Sequence, residues 1–370
     1  MSGAAAHSKY CKGVERRLRY IVLGAGGIGG LLGAWMARAG CDLTFVDRWE
    51  EHVSAINLHG FHVEGSRGVH RIRARAITPD RLGEVAPLET VIVAVKSQDT
   101  RRALVQLLPY STPQTCFVSM QAGMNLPTFE QVVGGERTIG ADPNYGGVVV
   151  GPGRLEAGFP NYIVVGELDG TFTDRLRVLQ RDFTYWTPTH MTANIRGAVW
   201  SKFVYGSEIQ CAAITDRARG DALGPPRHRL VAAAAVQEAM RVADALAIEL
   251  MPFDFFDPEV YRSFDGRNVE NQSFWARHAW PRHEIFRKYG THAFANTGSI
   301  WRWDIVHQHR DSEAASYFDA LRAAAKQVGL DVPINAAVVR IIREIEAGVR
   351  TMNDENFEEL FEIVKAHAGT

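Results

Sequence analysis

Apolar runs and the residues that break them divide the chain into two unlike halves. Arg19–Leu23 is a short apolar run ending in glycines, which predicts a buried strand. Ile28–Ala39 follows with helical spacing, and Gly40 stops it. Asp42–Val46 predicts a second strand and Glu50–His59 a second helix, closed by Gly60. Phe61–Ala76 alternates and predicts short strands about a turn at Gly65. Thr90–Val95 is continuously apolar, the pattern of a parallel strand covered on both faces. Asp99–Leu108 then predicts a helix and Thr115–Met120 a strand. Strands alternating with helices imply a doubly wound parallel sheet. Residues 138–170 become strand-rich and glycine-rich, which predicts a mixed or antiparallel sheet edge, and Phe172–Arg181 reads as a helix.

Helical periodicity takes over from about Ala193, over 196–214, 227–249, 312–328 and 334–346. An aromatic segment, 251–304, lies between these helices, and the charged stretch Arg343–Glu359 reads as a solvated helix and tail. The expected organisation is a flexible leader over 1–17, an α/β domain over 18–192 and an all-α domain over 193–370.

Composition narrows the function classes. Of 370 residues, 46% are hydrophobic, enough to build packed cores and to exclude a disordered chain. Lys plus Arg is 41 and Asp plus Glu is 42, a balance that lacks the broad positive field of a general nucleic-acid binder. The uncharged run Tyr20–Ala37 approaches the length of a membrane span. Its six glycines (24, 26, 27, 29, 30 and 33) argue against one, and no signal-peptide cleavage pattern follows. Cys11, Cys41, Cys116 and Cys211 are widely spaced with no CxxC pair, which fits a reducing cytoplasm rather than a disulfide or zinc framework.

The sharpest chemical signal is Gly24-Ala25-Gly26-Gly27-Ile28-Gly29, a GxGxxG turn between a strand and a helix. Gly24 allows the tight turn, Gly26 lets backbone N–H groups approach a pyrophosphate, and Gly29 lets the helix pack on the strand. The helix N-terminus then offers unpaired donors to phosphate oxygens. This makes the first domain a Rossmann-type dinucleotide-binding fold. Asp47, at the end of the second strand, is placed to hold ribose hydroxyls and favours NAD. Arg48, next to it, is suited to the 2′-phosphate of NADP, so the two residues point to different cofactors.

Lys96 ends the strand of VIVAVKSQDT, and SMQAGMN (119–125) ends the next one, so both face the crevice where such sheets bind ligands. Lys202, Gly206 and Gln210 fall four residues apart and share one helix face. A solvated Lys96 and a snorkelling Lys202 are the plainer readings. His307 and His309 lie on different helix faces, which argues against a metal pair. His278, His283 and His292 fit surface or capping roles. Trp275, Trp280, Trp301 and Trp303 suit packing, or the lining of an apolar pocket.

Six ordered stretches resemble the ketopantoate reductase (2-dehydropantoate 2-reductase) family over residues 19–346. They are IVLGAGGIGGLLGAWMARAG, VIVAVKSQDT, SMQAGMN, AVWSKF, SEAA around Glu313, and GLDVPIN. VDRWEEHVSAINLHG also resembles the NAD-dependent D-2-hydroxyacid dehydrogenases of D-mandelate type. The resemblance implies reduction of a 2-keto acid to a 2-hydroxy acid, with Lys202 as general acid and Glu313 anchoring substrate. It also implies Lys96 in the cofactor and substrate cleft and Arg48 on the NADP phosphate. Ala122 stands where the family carries asparagine, with Asn125 nearby, and Gly206 and Gln210 stand at two further asparagine positions of the substrate site. These departures leave three readings open. One is a 2-dehydropantoate 2-reductase, which would serve pantothenate biosynthesis. The second is an NAD-dependent D-2-hydroxyacid dehydrogenase for a bulky or aromatic substrate. The third is a non-catalytic dinucleotide-binding sensor. The helical half would accommodate a homodimer, but no residue requires one.

Overall fold

The computed structural model describes residues 18–217, 219–253, 256–263, 300–306, 309 and 311–367. Two compact units divide them. The first takes the described residues to Gln121 together with Asn125–Ile195, and the second takes Ala122–Met124 and the described residues from Arg196 on.

The first unit is built on a single sheet. Its strands are β1 (Arg19–Leu23), β2 (Asp42–Val46), β3 (Phe61–Gly65), β4 (His70–Ile72), β5 (Arg75–Ile77), β6 (Leu88–Val93), β7 (Ser111–Met120), β8 (Thr138–Gly151), β9 (Arg154–Glu167) and β10 (Thr189–Met191). The order is β4-β3-β9-β8-β7-β6-β1-β2-β5, with β10 pairing β9. Strands β5, β2, β1, β6, β7 and β8 run parallel. The long β8–β9 hairpin turns antiparallel, which accounts for the glycine-rich stretch after residue 138. Helices α1 (Gly27–Arg38), α2 (Glu50–His59), α3 (Thr100–Leu107), α4 (Leu126–Val133) and α5 (Asp174–Phe183) accompany the sheet. One buried cluster gathers Tyr20, Val22, Leu31, Leu32, Phe45, Phe61, Val118 and Trp186, and another gathers Ile21, Leu23, Val91, Val93, Leu104, Phe117 and Phe129. Alternate residues of β1, Tyr20 and Val22 against Ile21 and Leu23, therefore enter different cores, as a strand covered on both faces requires. β1 lies between β2 and β6, where the chain reverses its direction of winding, and ligands of such sheets bind outside the carboxyl ends there.

Helices form the second unit: α6 (Ile195–Cys211), α7 (Arg219–Ala222), α8 (Pro226–Ala245), α9 (Pro258–Arg262), α10 (Ile300–Val306), α11 (Ala314–Gln327), α12 (Pro333–Glu346) and α13 (Glu355–His367). The alanine-rich face of α8 (Ala232, Ala235, Ala239 and Ala243) is fully buried, and small side chains there let neighbouring helices approach. Glu238 of α8 accepts the N–H groups of Ile334 (3.0 Å) and Asn335 (2.8 Å), which supplies partners to the first turn of α12.

The expectation of a solvated tail over 343–359 is corrected here. Phe357 and Leu360 of α13 are fully buried and Val364 nearly so, at an i, i+3, i+7 spacing that the surrounding charges disguise. Helix α4 and strand β10 are likewise additions to the sequence reading, each too short to carry a clear period. The expected leader 1–17, Cys11, His278, His283, His292, His307, Trp275 and Trp280 lie outside the described residues. Trp301 is a core residue of the second unit.

Candidate active site

The glycine turn has the shape a pyrophosphate needs. Gly24 has φ +97°, and its N–H donates to the Val46 carbonyl at 2.8 Å. A Cβ at Gly24 would sit 2.8 Å from the Ala94 carbonyl oxygen, where the chain leaves β6. At Gly27 a Cβ would lie 1.9 Å from the Gly147 carbonyl oxygen of β8, and at Gly29 it would lie 2.2 Å from the Gly24 oxygen. Gly26 differs from these, since a Cβ there meets nothing within 4 Å. Gly26 is the N-cap of α1, no side chain caps that helix, and its first turn holds no acidic residue. The first-turn amides are therefore open to an anion, and the space above Gly26 admits one. These residues fit the phosphates of a dinucleotide.

Ala25 is held from both sides. Its N–H donates to Asp47 Oδ2 at 2.8 Å, while Asp47 Oδ1 accepts from the Trp49 N–H at 3.0 Å. Asp47 thus braces the turn, and each of its oxygens keeps a second lone pair that a ribose hydroxyl can reach. His52 was not singled out by the sequence reading. It is buried, and its Nδ1 accepts from the Gly153 N–H at 2.9 Å. That bond leaves the proton on Nε2, which donates to the Ala25 carbonyl at 3.0 Å. The imidazole also stacks under the indole of Trp49, with centroids 5.2 Å apart. Ile28, the fifth residue of the motif, offers its carbonyl to the Tyr145 hydroxyl at 2.9 Å. Arg48 is 74% exposed and lies 3.9 Å from Asp99.

Lys96 follows β6 and is half-buried at the same carboxyl edge as the glycine turn. Beyond it, buried polar residues knit two strand ends together. Gln121 Nε2 donates to the Val95 carbonyl (2.7 Å) and to Thr100 Oγ1 (2.8 Å). Thr100 Oγ1 in turn donates to Asn125 Oδ1 (3.0 Å), and Asn125 Nδ2 donates to Ser97 Oγ (3.2 Å). The Asn125 amide thereby fixes the loops in place. Ala122 belongs to the short segment that clusters with the second unit.

In that unit, α6 carries Lys202 half-buried, with Gly206 and Gln210 buried one and two turns on. Ser201, fully buried, is anchored by donating to the Gly197 carbonyl (2.8 Å) and accepting from the Met251 N–H (2.6 Å), which fixes the helix beside Lys202. Glu313 occupies the N-cap of α11, yet its carboxylate does not cap that helix. Its neighbour Ser312 is tied down instead, donating from its N–H (2.8 Å) and Oγ (2.6 Å) to Glu346. One turn after Glu313, Tyr317 places its hydroxyl against Gly206, 2.1 Å from where a Cβ would stand. The structure thus gathers Gly24–Gly29, Asp47, Arg48 and Lys96 in the first unit and Lys202, Gly206, Gln210 and Glu313 in the second. Among the described residues, no group of three or more His, Cys, Asp or Glu is arranged to hold a metal, and no helix is long and apolar enough to cross a membrane.

Comparison with known proteins agrees with this layout. The model of "Ketopantoate reductase PanE/ApbA" matches residues 20–170, and that of its C-terminal part matches residues 194–346. A 2-dehydropantoate 2-reductase of Pyrococcus abyssi is 25% identical over 264 residues, covering 70% of this chain and 85% of that one. The crystal structure of a PanE/ApbA family ketopantoate reductase from Ralstonia eutropha JMP134 superposes with TM-score 0.71 at 21% identity, over 90% of this chain and 100% of that one. The ternary structure of D-mandelate dehydrogenase with NADH and anilino(oxo)acetate gives 0.73 at 17% identity, over 89% and 99%. The two family models cover most of the chain, one on the glycine-turn half and one on the helical half. The chain belongs to the ketopantoate reductase family of nicotinamide-dinucleotide-dependent oxidoreductases acting on a CH–OH group.

Proposed function

We propose that this chain reduces a 2-keto acid to the 2-hydroxy acid, with ketopantoate to pantoate as the first substrate to test. The observation that carries this reading is the uncapped, glycine-lined N-terminus of α1, open above Gly26 and level with Lys96. When bound, the dinucleotide supplies a hydride to the substrate's carbonyl carbon. Gly24, Ala25, Gly26, Gly27, Ile28 and Gly29 hold its phosphates, Asp47 and Arg48 its adenosine ribose, and Lys96 and Ala122 line its path to the substrate. Lys202 donates a hydrogen bond to the carbonyl oxygen, offsets the negative charge that grows there and passes it a proton. Glu313, with its carboxylate not spent on capping α11, anchors a polar group of the substrate, and Gly206 and Gln210 shape the remaining wall.

In this reading residues 18–192 form the dinucleotide domain, residues 193–370 hold the substrate and offer a homodimer surface, and the protein works in the cytoplasm. NADP is the first cofactor choice because Arg48 is exposed beside the turn. A second reading, an NAD-dependent D-2-hydroxyacid dehydrogenase for a bulky substrate, is favoured by Asp47, whose carboxylate sits in the turn where a 2′-phosphate would be repelled.

The test is cofactor oxidation with ketopantoate, phenylglyoxylate and branched 2-keto acids, each with NADPH and with NADH. Turnover of ketopantoate with NADPH supports the first reading. Turnover of phenylglyoxylate with NADH alone supports the second. Dinucleotide binding without turnover of any of them would overturn both and leave a sensor.

A further inference from the structure

The contact between α6 and α11 contains a polar group with no structural employment. The Tyr317 ring stacks on Phe203 with centroids 4.0 Å apart, and Trp301 meets it edge-on at 5.5 Å. Its hydroxyl is buried and has no hydrogen-bond partner among the described residues. Gln210 Nε2, on the same face of α6 as Lys202, is likewise buried and unpartnered among them. A buried donor left without a partner destabilises a fold, so native proteins keep few of them without a reason. Only glycine tolerates this tyrosine, because a Cβ at 206 would stand 2.1 Å from the hydroxyl oxygen and 2.7 Å from Cζ. Cα–Cβ bonds lean toward a helix N-terminus, so the volume taken by the hydroxyl is on the Lys202 side of Gly206. On α11 the same tyrosine lies one turn from Glu313, and its N–H donates to the Glu313 carbonyl at 3.0 Å. Burial holds the phenol well above its ordinary range, which keeps it a donor at all working pH values.

We propose that the Tyr317 hydroxyl is a substrate contact, donating a hydrogen bond to an oxygen of the 2-keto acid from the place that a side chain at position 206 would otherwise fill. This deepens the function proposed above and rests on it. The residue pair Gly206 and Tyr317 then acts as one specificity element, the missing side chain on α6 being replaced by a hydroxyl from α11. Gln210 supplies the second donor on that wall.

The experiment compares wild type with Tyr317→Phe, which removes one oxygen and keeps the ring between Phe203 and Trp301. On whichever 2-keto acid the wild type reduces, KM should rise about ten- to a hundredfold, with kcat changed by less than about threefold. The dinucleotide Kd should be unchanged, and Tm should be equal to or above that of wild type, because an unsatisfied buried group has gone. Unchanged kcat/KM would overturn the assignment. A Tm lowered by several degrees would also overturn it, by showing that the hydroxyl has a structural partner. A wild type silent on every 2-keto acid would instead bring down the functional reading, and this assignment with it.

Discussion

Two side chains that touch no phosphate decide whether the glycine turn keeps its shape. Asp47 accepts the N–H of Ala25 and His52 donates to its carbonyl, so one residue of the turn is pinned by the segment after β2 on one side and by α2 on the other. Gly27 faces the Gly147 carbonyl of β8 with no room between them. We therefore expect Gly27→Ala to move the turn and to weaken dinucleotide binding by about tenfold or more, ~1.4 kcal/mol, as measured by fluorescence titration with NADPH and NADH. Lys202 carries a different burden. Lys202→Ala should leave dinucleotide affinity unchanged and lower kcat by about a hundred- to ten-thousandfold, the usual range for loss of a positioned acid. Steady-state rates on the substrate found in the keto-acid panel check this, and retained turnover would reject Lys202 as the acid. The glycines and Lys202 are legible in the sequence because each belongs to a local pattern. His52, Gln121 and Tyr317 are not, because their meaning comes from partners at residues 25 and 153, 95 and 100, and 206, and no spacing rule links those positions.

Whole elements were legible where period and punctuation agree. β1, β2 and α2 keep the bounds read from the sequence, since each is an apolar run or helical stretch closed by glycine or charge. α13 escaped because Glu355, Glu358, Glu359 and Glu362 make its average character polar while Phe357, Leu360 and Val364 form a narrow buried stripe. That stripe has a titratable neighbour. His228 of α8 stacks on Phe357 with centroids 3.7 Å apart, and its Nδ1–H donates to the Ala222 carbonyl at 2.7 Å. Burial lowers the His228 pKa below its ordinary value near 6.5. Below about pH 6.5 the unfolded chain binds a proton that the folded chain refuses, so stability rises with pH through that window. We expect acidification from pH 7.5 to 5 to lower the urea midpoint of wild type more than that of His228→Gln. Equal pH profiles for the two would contradict the burial argument.

At the scale of the whole molecule, two units of different make share one chain. The first is cross-linked by parallel strands buried on both faces, and the second by an alanine-faced helix packed among others. Both were expected from the change in periodicity near residue 193. The details of the sheet order were not, because β3, paired with its neighbour β4 on one side, joins the distant β9 on the other, a long-range pairing that no local pattern announces.

Among the described residues, each unit also buries one thiol fully. Cys116 lies on β7 of the first unit, and burial pushes it up to about 12. Cys211 ends α6 in the second, and burial raises it as well. Neither forms a disulfide. The thiolate is the form that attacks a thiol reagent, so both stay inert until the surrounding structure opens. With Cys11 and Cys41 replaced by serine, single-cysteine variants keeping Cys116 or Cys211 become two clocks. Labelling followed by mass spectrometry, in urea below the unfolding midpoint, times the opening of each unit separately. Saturating dinucleotide should slow the Cys116 clock by the factor that ligand binding adds to folded-state stability. A Cys116 clock indifferent to dinucleotide would place the cofactor elsewhere.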